Sequence, residues 1–353
     1  MRTDDLVKSY LKGEKLNIEI DKELQKELID QSLQTIIYPV CNKGKNYYIS
    51  WVLKQEEFYN IEKEITDLFN QNEIPHIYFK GTVLSKIYDD PYIRTRGDID
   101  LYVMPSILNK AKDILIRNGF NLDTSEDCMH HIGLNKNGLN IEIHFNMFDG
   151  DENKTWISMF KEPFKIANKE SNYRYKFIDT YHFIYCMMHF AKHLRHGAGL
   201  RYILDFYYML EKYEIDFHLL HKLLEVTKLE ILYSNILNMV YYLTDKEYDN
   251  LKKEDILFFR DYLLSYGIHG HQNNETTVSS VHKNKVKYFF DRILLINKAY
   301  RISRYPKMGK IIILYPLCVI FHIIYLITHK LKKFFKFIFG KNKNKALYKK
   351  LGV

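Results

Sequence analysis

The chain has 353 residues, of which 46% are hydrophobic and 27% charged, so it can bury a sizeable core and is long enough for two domains. Its net charge of +9 is localised: residues 330–353 hold nine lysines and no acid, whereas residues 1–329 hold 43 basic and 43 acidic side chains. A neutral body argues against a folded nucleic-acid-binding face, and a lysine tail after an apolar segment suits an anionic membrane surface better.

In chain order, residues 1–40 carry apolar positions at helical spacing (Leu24, Leu28, Ile29, Leu33, Ile36) and break at Asn42-Lys43-Gly44-Lys45. A helix is predicted over 56–72, with Phe58, Ile61, Ile65, Leu68 and Phe69 on one face. Then follow a strand at 75–80, a short helix at 82–88, a strand at 98–104 and a helix at 105–118, started by Pro105 and stopped by Gly119. Strands at 128–134 and 139–146 flank Asn135-Lys136-Asn137-Gly138, where Asn-Gly signals a hairpin turn. From about 155 the pattern reads as helical, over 180–195, 200–213, 216–227, 230–243 and 253–266. The polar stretch 270–280 is the expected mobile loop. Residues 311–328 contain no charged side chain apart from His322, and include Pro316.

The expected class is α+β, a small mixed β-sheet with flanking helices followed by an all-helical domain. The boundaries are a helical segment at 1–54, the sheet-bearing core at 55–150, a helical domain at 151–305, and the apolar segment with its basic tail at 306–353. The four cysteines, Cys41, Cys128, Cys186 and Cys318, lack C-x-x-C spacing, which argues for a reducing compartment and against a disulfide framework. Met1 to Asp5 begin no apolar signal run, so a cytoplasmic location is expected, peripheral at the inner membrane face if the tail engages lipid.

The chemistry concentrates near residues 80–144. Asp98 and Asp100 open a strand and project from one side about 7 Å apart, an arrangement that suits a divalent metal and, through it, phosphate. Lys80-Gly81-Thr82 joins a strand to a helix start, where free backbone N–H groups beside glycine favour anions. Glu142 and His144 alternate with Ile141, Ile143 and Phe145, so they share the polar face of a later strand. Placed beside the Asp strand, Glu142 completes a three-carboxylate site that acts on an attacking hydroxyl; otherwise that face is ordinary surface. Arg94 and Arg96 suit phosphate oxygens or, equally, salt bridges to Asp89 or Asp90. His189 and His193, one helical turn apart with Cys186 and His182 near the same stripe, read as a polar seam with Arg201 and Asp205 more readily than as a zinc site.

Together these residues resemble the nucleotidyltransferase superfamily, in particular the branch of uncharacterised nucleotidyltransferases found among bacterial surface-polysaccharide genes. The matching residues are Lys80-Gly81, Tyr88-Asp89-Asp90-Pro91, Arg94 or Arg96, Asp98-Ile99-Asp100 and Glu142-Ile143-His144, with His189 to His193, Asp205 and Tyr305-Pro306-Lys307 beyond them. Thr82 departs from the usual Gly or Ser, and Gly81 precedes Asp98 by 17 positions, which leaves the donor base open. The resemblance implies a metal-dependent enzyme that moves a nucleotidyl group from a nucleoside triphosphate to an unidentified acceptor. Asp98, Asp100 and Glu142 would be catalytic and hold Mg²⁺, with Mn²⁺ as the alternative. Lys80, Gly81, Thr82, Arg94, Arg96, His144, His189, His193 and Asp205 would bind substrates. A surface-glycan phosphotransferase of the phosphocholine-transferase kind and a non-catalytic nucleotide-binding scaffold are the alternatives. For 311–328, membrane contact competes with packing on the body.

Overall fold

A computed structural model describes residues 2–123, 130–149, 152–195, 197–246, 253–268, 293–295, 301, 305, 308–309, 311–329 and 345–353. Its centre is a sheet whose strands are β1 (His76–Tyr78), β2 (Asp98–Val103), β3 (Asn121–Leu122), β4 (His131–Lys136), β5 (Leu139–His144), β6 (Ala167–Ser171) and β7 (Arg174–Phe177). The spatial order is β3-β4-β5-β2-β1-β7-β6. β2 runs parallel to β5 and antiparallel to β1, and β7 joins β1 in parallel.

The strands alternate as their sequence requires. Ile99, Leu101 and Val103 of β2 and Ile141 and Ile143 of β5 are wholly buried against helix α4 (Lys45–Gln71), through Phe58, Ile61, Ile65 and Phe69. Helix α6 (Leu108–Arg117) adds Ala111, Ile114 and Leu115 to the same layer. Burying each large apolar side chain there is worth about 1.5–3 kcal/mol, which fixes the strand faces and sends Asp98, Asp100, Glu142 and His144 to the other side. α4 begins two to three turns earlier than the apolar pattern indicates, because residues 45–54 are exposed or half-buried and carry little periodicity.

The β4–β5 hairpin turns on Asn137-Gly138, both with positive φ (53° and 77°), as a two-residue turn of primed type requires. That tight turn pairs Lys136 with Leu139 and therefore His131 with His144 and Gly133 with Glu142. The expected helix at 82–88 is shorter, α5 (Gly81–Leu84) followed by a 3-10 turn, Ser85–Ile87. Residues 105–107 likewise form a 3-10 turn ahead of α6.

Beyond the sheet lie α7 (Lys154–Met159), α8 (Asp179–Leu194), α9 (Arg201–Lys212), α10 (Phe217–Thr227), α11 (Glu230–Thr244) and α12 (Lys253–Ser265). The last five match the predicted helices closely. The β6–β7 hairpin departs from the helical reading of this region; its β6 residues are mostly exposed and polar, so they carry no buried alternation. The N-terminal helices α1 (Thr3–Leu11), α2 (Lys22–Asp30) and α3 (Ile37–Cys41) share a core with α8 to α12: Leu6, Val7 and Leu28 are buried in one cluster with Phe183, Phe190, Phe206 and Leu232. Gln31, fully buried, fastens the two parts, donating to the Leu263 and Tyr266 carbonyls (3.0 and 2.8 Å) and accepting from Leu200 N–H (2.6 Å).

Near the C-terminus, α13 (Tyr315–His329) and α14 (Lys345–Leu351) complete the described helices. Among the described residues no helix is long and apolar enough to cross a membrane. Cys41, Cys186 and Cys318 are free and buried. Cys128, Pro306, Lys307, the expected loop at 270–280 and most of the lysine tail lie outside the described residues.

Candidate active site

The parallel β2–β5 ladder sets Asp100 directly beside Glu142 and Asp98 beside Asn140. Their common face carries His144 one step on, and all of it lies opposite the Ile-rich core face. Asp100 is 1% exposed, and its Oδ1 accepts from Lys80 Nζ (2.7 Å) and His144 Nε2 (2.9 Å). His144 Nε2 also lies 3.1 Å from Glu142 Oε2. One ligand atom each from Asp100, Glu142 and His144 falls within 4.8 Å of the others, a spacing that can close around a cation. Asp98, half-buried, flanks this group without being part of it.

Electrostatics separate the two aspartates. Burial, reinforced by the Asp100 charge, pushes the Asp98 carboxyl up to about 7. Burial also opposes the Asp100 charge, yet the Lys80 ammonium and His144 outweigh it and hold that carboxyl well below the usual range. Asp100 Oδ2 is buried with no hydrogen-bond partner among the described residues. An orphaned carboxylate oxygen beside a second carboxylate whose charge is disfavoured is a donor set that a divalent cation would satisfy. The residues present therefore fit Mg²⁺, a cation of oxygen ligands.

Lys80 sits at the turn from β1 into α5 with φ 49° and ψ −133°, a region that side chains other than glycine's rarely enter. Such a conformation costs about 1–3 kcal/mol and persists only where its surroundings over-determine it. Here the Lys80 N–H donates to His182 Nε2 (3.1 Å), its carbonyl accepts from Val83 and Leu84 (3.1 and 2.8 Å), and its ammonium is held by Asp100. His182 in turn donates through Nδ1 to Tyr213 Oη (2.7 Å), which fixes the tautomer that accepts from Lys80. The Thr82 hydroxyl accepts the Asp100 N–H (3.1 Å), tying α5 to β2.

The family model described as uncharacterised nucleotidyltransferase matches residues 24–245. The chain belongs to that family. The matched span runs from α2 just past α11 and so includes the sheet, Lys80, both aspartates, Glu142 and the helices around Asp205. No curated protein and no solved structure matches this nucleotidyltransferase.

The remaining predicted residues fall in two groups. Arg94 and Arg96 are both buried, and neither pairs with Asp89 or Asp90. Arg94 grips Asp205 with two prongs, Nε to Oδ1 (2.6 Å) and Nη2 to Oδ2 (2.9 Å), and Tyr88 Oη donates to the same carboxylate (2.8 Å). Arg96 pairs with the buried Glu62, and its guanidinium lies 4.4 Å from the Phe58 ring centroid. Gly81 makes room for this packing: a Cβ there would stand 3.0 Å from Arg94 Nη1 and 3.3 Å from Arg96 Cβ. The geometry thus gives Arg94, Arg96 and Asp205 bonds within the fold.

His189 and His193 meet through their Nε2 atoms at 3.2 Å, and His193 stacks on Tyr202. Burial, then the neighbouring His193, holds His189 well below the ordinary histidine range; the Lys80 and Asp100 charges also act on it. Residues that the sequence did not single out are His130, His131, Tyr213 and Glu62. The signal for His131 was present in the Asn137-Gly138 turn, whose register fixes His131 across from His144.

Proposed function

We propose that this nucleotidyltransferase is a divalent-metal enzyme that moves a nucleotidyl group from a nucleoside triphosphate to an acceptor nucleophile. The observation that carries the reading is the side-by-side placement of Asp100 and Glu142, with a buried, unpartnered carboxylate oxygen at the turn that Lys80 strains to make. Asp98, Asp100 and Glu142 would hold Mg²⁺, which when bound neutralises charge on the donor phosphates. In the reaction the acceptor oxygen forms a bond to the α-phosphorus and the α–β phosphoanhydride breaks. Pyrophosphate leaves with the electron pair, and Glu142, half-buried where Asp100 beside it is fully buried, takes the acceptor proton. Lys80, released from Asp100 once a cation is present, supplies positive charge to the departing phosphates. The His189–His193 seam borders the acceptor side. Calorimetric titration with nucleoside triphosphates, with and without Mg²⁺, tests the reading, which requires binding that depends on the cation and is lost in Asp98→Asn.

The acceptor is proposed to be held at an anionic membrane surface that this protein reaches through α13. That helix is inverted: Cys318 and His322 face inward and are buried, while Leu317, Ile320, Phe321 and Ile324 are 42–52% exposed. Ile312 and Ile313 ahead of it are 79% and 83% exposed. A helix packed only on protein turns its apolar side inward. The lysines between 330 and 345 supply the charge complement to anionic lipid, and a glycan assembled on the membrane is the acceptor class this placement favours.

A further inference from the structure

Three histidines converge at the edge of the carboxylate site, and two of them take no part in the transfer chemistry. His130 precedes β4, His131 begins it, and His144 ends β5 directly across from His131. One nitrogen from each lies within 4.8 Å of the other two. The closest approaches are His131 Nδ1 to His130 Nε2 (3.3 Å), His131 Nδ1 to Glu142 Oε2 (3.6 Å) and Glu142 Oε2 to His144 Nε2 (3.1 Å). Ligand atoms about 2.0–2.1 Å from a tetrahedral zinc ion lie about 3.3 Å from each other, so these three edges already have the length such a site needs.

We propose that His130, His131, His144 and Glu142 bind a borderline divalent transition-metal ion, Zn²⁺ foremost, beside the oxygen-ligand site. Imidazole nitrogen suits zinc and its neighbours in the first transition row, whereas Mg²⁺ takes oxygen. His144 would ligate through Nε2 by giving up the proton it shares with Asp100, and the outer arrangement fits as well. His130 Nδ1 donates to Asp149 Oδ1 (2.6 Å), and Asp149 Oδ2 accepts from Lys192 Nζ (3.2 Å). A carboxylate on the far nitrogen is the usual support of a metal-bound histidine, since it fixes the tautomer that leaves the near nitrogen able to ligate. Gly133 stands across from Glu142, so the ladder partner of Glu142 puts no side chain between that carboxylate and His131. Glu142 would then be shared between an oxygen site towards Asp100 and a nitrogen site towards His131, linking the two cations through one residue.

The test uses the full-length protein stripped with a chelator and titrated with Co²⁺ alone, because four-coordinate cobalt absorbs visible light far more strongly than six-coordinate cobalt. The proposal requires one equivalent bound with the strong spectrum, undisturbed by excess Mg²⁺ and displaced by Zn²⁺. His130→Ala and His131→Ala should each weaken binding about 100-fold or more, and Asp149→Asn about 10-fold. His131→Cys, which replaces one ligand by another, should keep the strong spectrum and add a thiolate-to-cobalt band, separating ligand loss from misfolding. Asp98→Asn should bind Co²⁺ like the parent, so failure of the transfer reading and failure of this one are distinguishable. A weak six-coordinate spectrum, no binding, or binding as tight as the parent's by the His130→Ala and His131→Ala proteins would overturn the proposal.

Discussion

Glu142 stands directly beside Asp100 in the parallel β2–β5 ladder, so the sheet itself, and not a loop, sets the distance between the two carboxylates. This placement separates Glu142 from Glu152, which lies past the strand and pairs with Lys192 (2.9 Å). Glu142→Gln should lower turnover about 100-fold or more, since it removes the group proposed to accept the acceptor proton. Glu152→Gln should change turnover less than about threefold. Steady-state rates of the two variants at saturating donor make the comparison; similar, small losses at both would mean that the β5 face is ordinary surface.

Gly81 faces a different constraint. Its backbone angles do not demand glycine, but Arg94 Nη1 stands only 3.0 Å from where a Cβ would be. Gly81→Ala should push Arg94 off Asp205 and destabilise the protein by about 1–3 kcal/mol, lowering its melting temperature by several degrees. Arg94→Lys should do at least as much, because lysine cannot make the two-pronged pair and leaves Asp205 and Tyr88 buried around a gap. Melting temperatures equal to that of the parent would show that this packing contributes nothing to the fold.

Acid should unfold the protein through His76 and His182. Burial holds them at about 4 and about 3, below the ordinary 6.5 of an unfolded histidine. Above pH 6.5 both are neutral in either state and their contribution is intact. As pH falls below 6.5 the unfolded chain takes up protons that the folded chain refuses, and stability drops until about pH 4 to 3. Protonated His182 can no longer accept the Lys80 N–H, so the strained turn should loosen with it. Denaturant unfolding from pH 8 to 4 should show falling stability across that window, and His76→Phe should flatten part of the slope. Constant stability between pH 6.5 and 4.5 would contradict the assignment.

Much of the site is legible in the sequence, for a physical reason. Asp98, Asp100, Glu142 and His144 alternate with residues that must be buried, so their common face follows from the pleat alone. Which strand lies beside which does not follow, and the pairing of His131 with His144 needed the hairpin register as well. His182 could be placed on a helical stripe, but its bond to Lys80 spans 102 residues in sequence. Arg94 and Arg96 read as phosphate ligands or surface ion pairs because a guanidinium fork suits either; their buried partners, Asp205 and Glu62, lie far off in sequence or carry no motif. The β6–β7 hairpin was illegible because its β6 strand is an exposed edge, where no buried face imposes a pattern.

The inverted α13 and the lysines beyond it predict that full-length protein co-sediments with anionic vesicles, and less so at high salt, since each lysine near such a surface contributes about 1 kcal/mol that ions screen. Replacing the exposed Ile312, Ile313, Ile320, Phe321 and Ile324 by serine should release it while leaving Mg²⁺-dependent nucleotide binding in place, because α14, whose Tyr348 and Leu351 are buried in the core of the body, is kept. Equal partitioning to neutral and anionic vesicles would remove the electrostatic role of the tail. Loss of folding in the substituted chain would assign the apolar side of α13 to the body, where α14 already packs through Tyr348 and Leu351.

The group proposed to be transferred is the nucleotidyl unit, which the position of a label in the donor decides. Full-length protein, Mg²⁺ and each of the four nucleoside triphosphates, labelled in turn at the α- or the γ-phosphate, should be incubated with membrane and soluble fractions as sources of acceptor. Label should pass from the α position and never from the γ position, with pyrophosphate released and with no transfer by Asp98→Asn. Transfer of γ-label, or equal α-label transfer by the Asp98→Asn protein, would contradict the proposal.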